Sequence, residues 1–257
     1  IASMVVILCA AQSTFSQEVT PDSITLEHLK QAIEKARKAL NEQASLQPDY
    51  RPESDYIFWR TARYNIPQEL RNPMGNQALV CWALLATGES YQNPAFSRRL
   101  NWVMSGDRSL TYDRGMRLAM LSQLPRKRWG RWVRRDVMWL TNALTDKGNF
   151  TESWFGKPNT GYGDNANGQY GGLGLWVYQR AGYSLKSKVW KAVDRYWRDA
   201  MIKTDGGKSG AWAVFSPKAA AHTQGVGGGA FTPSAPMTAG AVATLCVTER
   251  ALHAQSL

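Results

Sequence analysis

The chain has 257 residues, 44% of them hydrophobic and 20% charged, with a formal net charge of +11. That length allows one large domain or two small ones, and an ordinary apolar share permits a sizeable core. Three cysteines are too few for a disulfide framework, and 11 Trp, 10 Tyr and 7 Phe must either fill a core or line a groove.

Residues 1–11 form an apolar run too short to span a bilayer. Small and polar residues follow to Ser16, and then Gln17 and Glu18. This pattern reads as the apolar core and cleavage region of a secretory signal without its basic start. Residues 1–16 are therefore expected to be a signal remnant, and the mature chain to be secreted or periplasmic. No membrane span is expected after the signal is removed, and Cys81 and Cys246 then remain.

Residues 24–45 carry Leu26, Leu29, Ile33, Ala36 and Leu40 on one helical stripe. Ser23 or Thr25 can cap this helix, and Glu34 and Lys38 are spaced as an i, i+4 pair. Residues 46–74 are Pro-rich and irregular. A helix then runs to Gly88, a fitting stop. Others are expected from Asn93-Pro94, over 111–123, over 131–145, over 165–181 and over 185–201, with a last helix from about 235. No segment shows strand alternation. The stretch Arg126-Lys-Arg-Trp-Gly-Arg-Trp-Val-Arg-Arg135 concentrates positive charge. Interleaved Trp and Arg can grip nucleic acid, but the spacing of Trp132, Val133, Val137 and Leu140 favours a solvated helix face, and nucleic acid is not the expected partner.

Four of the helices share a composition rich in Ala, Gly and Leu, and begin near 76, 112, 165 and 235. Bulkier amphipathic helices alternate with them. Small residues let backbones approach closely, so the first class reads as inner helices and the second as outer ones. Gly171, Gly172 and Gly174 each cost helix propensity, on the order of 1 kcal/mol. That cost is sensible only where neighbouring helices press close.

The third unit carries the clearest likeness to a known family. Residues 162–176, Tyr-Gly-Asp-Asn-Ala-Asn-Gly-Gln-Tyr-Gly-Gly-Leu-Gly-Leu-Trp, resemble a stretch of exported bacterial members of the squalene cyclase and prenyltransferase repeat family. Val189 to Trp197, Thr204-Asp-Gly-Gly207 and Ser234-Ala-Pro-Met-Thr-Ala-Gly240 are similar to the elements that follow there. The resemblance covers about 24–250 and implies an all-α fold, an α/α toroid of alternating inner and outer helices. Four inner helices against the family's six imply an incomplete ring, with residues 17–257 forming the toroid domain, truncated at its C-terminus. The family's repeat signature is Gln, three residues, Gly, one residue, Trp. Here Leu144, Gly148 and Phe150 stand in one copy, and Ile202, Gly206 and Lys208 in another. This loss of Gln and Trp implies a diverged repeat.

Catalytic motifs are mostly absent. There is no Asp-x-Asp-Asp acid motif, and Asp164-Asn-Ala-Asn167 holds one carboxylate only. Cys81, Cys246, His222 and His253 lack zinc-ligand spacing, so no metal and no cofactor is expected. Asp146, Glu152, Asp164 and Asp205 lie in loops beside Trp154, Tyr162, Trp212 and Phe215, an arrangement that suits either a sugar cleft or, for Asp164, a helix cap. No residue is assigned as catalytic. The loops 146–164 and 204–233 each precede an inner helix, so both are expected at the end where inner-helix N-termini point. A ligand pocket is expected there, lined by Tyr162, Asp164, Asn165, Asn167, Gln169 and Trp212. The expected role is binding or scaffolding of a ligand in the cavity (a polysaccharide, an isoprenoid or a peptide). The alternative is an enzyme acting on a polysaccharide or isoprenoid.

Overall fold

The computed structural model describes residues 25–45, 73–105, 110–152, 163–222 and 228–254. Residues 1–16, expected to be a signal, lie outside this set. The chain divides into two units, 1–55 and 56–257.

The first unit contributes α1, Leu26–Ser45. Its start is capped by Thr25, whose hydroxyl accepts from the His28 amide at 3.2 Å, while the Thr25 amide reaches back to the His28 ring at 3.4 Å. Glu34 pairs with Arg37 at 2.8 Å rather than with Lys38. The apolar stripe is exposed at Leu26, Leu29 and Ile33.

Among its described residues the second unit is mostly helical. It runs α2 (Pro73–Ala86), α3 (Pro94–Ser105), α4 (Thr111–Leu121), α5 (Arg126–Ala143), α6 (Asn165–Arg180) and α7 (Ser187–Asp199). A small antiparallel hairpin follows, β1 (Ile202–Thr204) with β2 (Ser209–Ala211), and then α8 (Ala235–His253). The hairpin is an addition to the all-α expectation. Its three-residue strands are too short to show alternation. They are turned by Asp205, Gly206 and Gly207, all at positive φ.

The Gly/Ala-rich helices pack in chain order, α2 on α4, α4 on α6 and α6 on α8. The amphipathic helices lie against them, with α3 on α2, α5 on α4 and α6, and α7 on α8. Helix α4 is the core element: every residue in it except Tyr112 is buried. Helix α7 buries Val189, Trp190, Val193, Tyr196 and Trp197 along one stripe, as helical spacing requires. It is fastened at both sides. Trp190 donates to Gln179 Oε1 of α6 at 2.6 Å, and Thr248 of α8 donates to Asp194 at 3.1 Å.

Close approach of α4 and α6 depends on two glycines. A Cβ on Gly174 would lie 2.8 Å from the Gly115 Cα, and one on Gly115 would lie 2.4 Å from the Tyr170 carbonyl oxygen. Backbone cannot step aside as a side-chain tip can. By contrast, a Cβ on Gly172 would meet only Thr244 Cγ2, at 3.2 Å.

At the centre of the unit lies a buried ion cluster. Asp136 of α5 accepts from Arg117 Nε at 2.7 Å and Nη2 at 2.6 Å, and also from Arg114 Nη1. Arg117 Nη1 reaches the Val103 carbonyl of α3 at 3.2 Å and Met74 Sδ of α2 at 3.6 Å. The Arg114 guanidinium also lies over the Trp139 ring, 5.4 Å from its centroid.

By length and composition, the stretch Gly228–His253 is long and apolar enough to cross a membrane, against the expectation that no such segment follows residues 1–16. Its helix α8 packs on α6 and α7 and carries exposed Glu249 and Arg250.

The glycine contacts separate two substitutions that the sequence alone would treat alike. Gly172→Ala should be near neutral in chemical denaturation, because gained helix propensity offsets a mild contact. Gly174→Ala should cost about 1–3 kcal/mol by overpacking. Equal effects would contradict the α4–α6 contact.

Candidate functional site

The N-termini of the Gly/Ala-rich helices gather the polar residues. Gly75, in the first turn of α2, donates its amide to Asp113 Oδ1 of α4 at 2.8 Å. Thr111 opens α4, with its amide on the Glu152 carbonyl at 2.9 Å and its hydroxyl on the Thr151 carbonyl at 2.6 Å. The same loop segment bonds forward, since the Asp164 amide donates to the Phe150 carbonyl at 3.2 Å. One helix later the arrangement recurs. The Asn165 amide donates to the Val214 carbonyl at 2.7 Å, and the Ser234 amide to the Trp212 carbonyl at 3.1 Å. Both long connections therefore cross the same end, each bridging the starts of two consecutive inner helices.

Of the six residues expected to line a pocket, Tyr162 lies outside the described residues, as does Trp154. Asp164 is the N-cap of α6. Its Oδ1 accepts from the Asn167 amide at 2.7 Å and its Oδ2 from the Asn167 side chain at 2.8 Å. Desolvation by burial nevertheless raises its pKa above the ordinary carboxylate value. The Asn167 and Ala166 bonds oppose that shift, and the charge of Glu152 adds to it. Asn165 is fully buried. Its Nδ2 donates to the Ala213 carbonyl at 2.8 Å and its Oδ1 accepts from Tyr196 at 2.9 Å. Trp212 is 5% exposed, with its indole N–H on the Trp197 carbonyl at 2.8 Å. Asn165 and Trp212 thus fix the 212–214 segment across α6 and offer no polar atom to a ligand. Gln169 is half-buried against Gly240 of α8. Phe215 packs on Phe231, with centroids 5.8 Å apart.

Two tyrosines that sequence reasoning passed over stand beside this set. Tyr112 of α4 and Tyr170 of α6 meet edge to face, with centroids 4.7 Å apart, and Tyr112 donates to Asn76 of α2 at 3.0 Å. Burial raises the pKa of both hydroxyls, so both stay protonated. Their signal was positional, each ring lying within the first two turns of a Gly/Ala-rich helix. On α6, Ala166, Gln169, Tyr170, Leu173 and Trp176 are all half-buried. Their spacing makes one continuous, partly open stripe.

The loop carboxylates are dispersed. Asp146 is exposed and pairs with Lys147 at 3.2 Å, and Asp205 accepts from Ser209 within its own turn. Among the described residues, no three of His, Cys, Asp and Glu come together as a metal set. Cys81 is a buried free thiol whose pKa is pushed up to about 12 by desolvation, with Arg99 opposing, so it stays protonated; Cys246 is free and exposed.

No family model, curated protein or solved structure matches the chain.

Asp164 yields a pH-dependent prediction. The folded protein holds this proton to higher pH than the unfolded chain does. Its contribution to stability is therefore complete below about pH 3.9, the unfolded value, and is lost as pH rises through the folded value. Asn caps as well as Asp and carries no charge, so Asp164→Asn should gain on the wild type as pH rises from 3.5 to 7. Asp164→Ala should lose about 1 kcal/mol of capping. Thermal unfolding across that range tests this, and a variant D164N that falls behind the wild type as pH rises would contradict it.

Proposed function

We propose that the second unit is an α/α-toroid domain of the squalene cyclase and prenyltransferase type, exported and acting as a binding or scaffolding module without catalysis. The ligand best suited to it is a polysaccharide lying along the partly open stripe of α6. The observation that carries this reading is the stripe itself. Tyr170 and Trp176 supply faces on which sugar rings stack, and Gln169 supplies amide donors and acceptors between them.

Repeat symmetry supports the family reading. Leu144 and Phe150 pair as an isolated bridge around Gly148, and Ile202 pairs with Ala211 around Gly206 and Gly207. Both turns occupy the places of the family's Gln–Gly–Trp signature. The helix-to-helix tie that the signature would give has a counterpart in the Gln179–Trp190 bond between α6 and α7. The non-catalytic reading rests on Asp113 and Asp164 each being engaged in capping a helix start. Export rests on the apolar segment 1–16.

One observation favours the rival enzyme. A carboxyl with a raised pKa and a second carboxylate acting on it, Asp164 with Glu152, is the pattern of acid–base pairs that cleave glycosides.

Titration with a panel of neutral oligosaccharides, followed by tryptophan fluorescence, tests both readings. Binding without hydrolysis is expected, with Tyr170→Ala and Trp176→Ala each weakening it at least tenfold and Asp164→Asn leaving it unchanged. Hydrolysis abolished by D164N would establish the enzyme, and no binding to any neutral glycan would overturn the polysaccharide assignment.

A further inference from the structure

The opposite end of the unit, where α4 and α6 finish and α5 begins, holds a cavity of about 110 Å³. Leu121, Leu124 and Val133 form its apolar floor, and Ser122, Arg126 and Tyr183 are among its polar walls. Tyr178 and Tyr183 stack there, with centroids 4.6 Å apart and planes 13° from parallel. The Arg126 guanidinium lies 3.8 Å from the Tyr183 ring centroid. That cation–π contact holds the guanidinium beside the cavity it helps to line, where its N–H groups can donate to an oxyanion.

Arg134 converges on the same place. A Cβ on Gly130 would meet both the Tyr183 hydroxyl, at 3.3 Å, and Arg134 Nη1, at 3.6 Å. Neither Arg126 nor Arg134 has a carboxylate partner among the described residues. The Tyr183 hydroxyl oxygen is buried and has no hydrogen-bond partner among the described residues. Burying a polar group without a partner is unfavourable, and the exposed guanidiniums of Arg126 and Arg134 bring positive charge to its side. Exposed Lys127, Arg128 and Arg131 on the same helix add to the positive potential. One bound oxyanion would satisfy all three groups.

We propose that this cleft binds a phosphate group, with Arg126 and Arg134 donating to its oxygens and the Tyr183 hydroxyl donating a third bond. Two positive charges and three donors suit a tetrahedral dianion better than a planar carboxylate. A soluble phosphate and a phospholipid headgroup present the same chemistry. The site does not rest on the polysaccharide reading, because none of the stripe residues Ala166, Gln169, Tyr170, Leu173 and Trp176 lines this cavity.

The test uses the full chain at low ionic strength, with inorganic phosphate in calorimetry and phosphatidylglycerol vesicles, against phosphatidylcholine vesicles, in sedimentation. Phosphate binding points to a soluble ligand; selective sedimentation with phosphatidylglycerol points to a headgroup. In either arm the double substitution Arg126→Gln with Arg134→Gln should weaken binding at least tenfold, and Tyr183→Phe severalfold. The double substitution Lys203→Gln with Lys208→Gln removes equal charge from the exposed β1–β2 turn and should leave binding unchanged. Binding retained by R126Q/R134Q, an equal loss in K203Q/K208Q, or no binding to either probe would overturn the assignment.

Discussion

One buried carboxylate holds the second unit together. Asp136 stands in a helix that is otherwise strongly basic, and two guanidiniums of α4 close on it. Arg117 then extends the contact to α3 and α2, so four helices meet at one cluster. Charges taken out of water are costly unless every donor and acceptor is matched. Such a cluster tolerates few alternative registers of α4. The row of inner helices inherits that register: Asp113 follows from the placement of α4 and caps α2, and Gly115 follows from it and admits α6.

From this fixed centre the two ends of the row diverge. At the N-terminal end, loop segments 150–152 and 212–214 cross consecutive helix starts, and the carboxylates there are occupied by amides. The partly open chemistry is then the aromatic and amide stripe of α6, on which the proposed binding role rests. At the C-terminal end, α5 begins with cations for which no carboxylate partner is seen among the described residues, and one of them, Arg126, lies over the Tyr183 ring. The two proposals, a neutral glycan on α6 and a phosphate group beside α5, rest on this asymmetry.

Much of the helical layout was legible. The stripes of α1 and α7 and the stops at Gly88 and Gly182 (both at positive φ) follow local rules. The Gly-rich run of α6 correctly marked close contact, though not which glycine bears it, because that depends on how α4 turns. Trp129 rather than Trp132 turns fully inward, and α5 starts at Arg126 rather than 131, since cations in a first turn read as loop. The ion cluster was illegible: Arg114 and Arg117 look like surface residues until Asp136 is placed between them. Its one trace was a lone acid in a basic helix. Of the candidate site, Asp164 carried a readable capping signal, whereas Asn165 and Trp212 needed the path of the 212–214 segment. Tyr112 and Tyr170 come together only through the α4–α6 packing.

The most direct measurement is the unfolding free energy of three proteins: wild type, Asp136→Ala, and a triple variant R114M/R117M/D136L. If the cluster organises the fold, D136A strands two buried cations and should lose about 3–5 kcal/mol, while the apolar triple variant should recover most of that loss. A cost below about 1 kcal/mol for D136A, the behaviour of an exposed pair, would contradict the account.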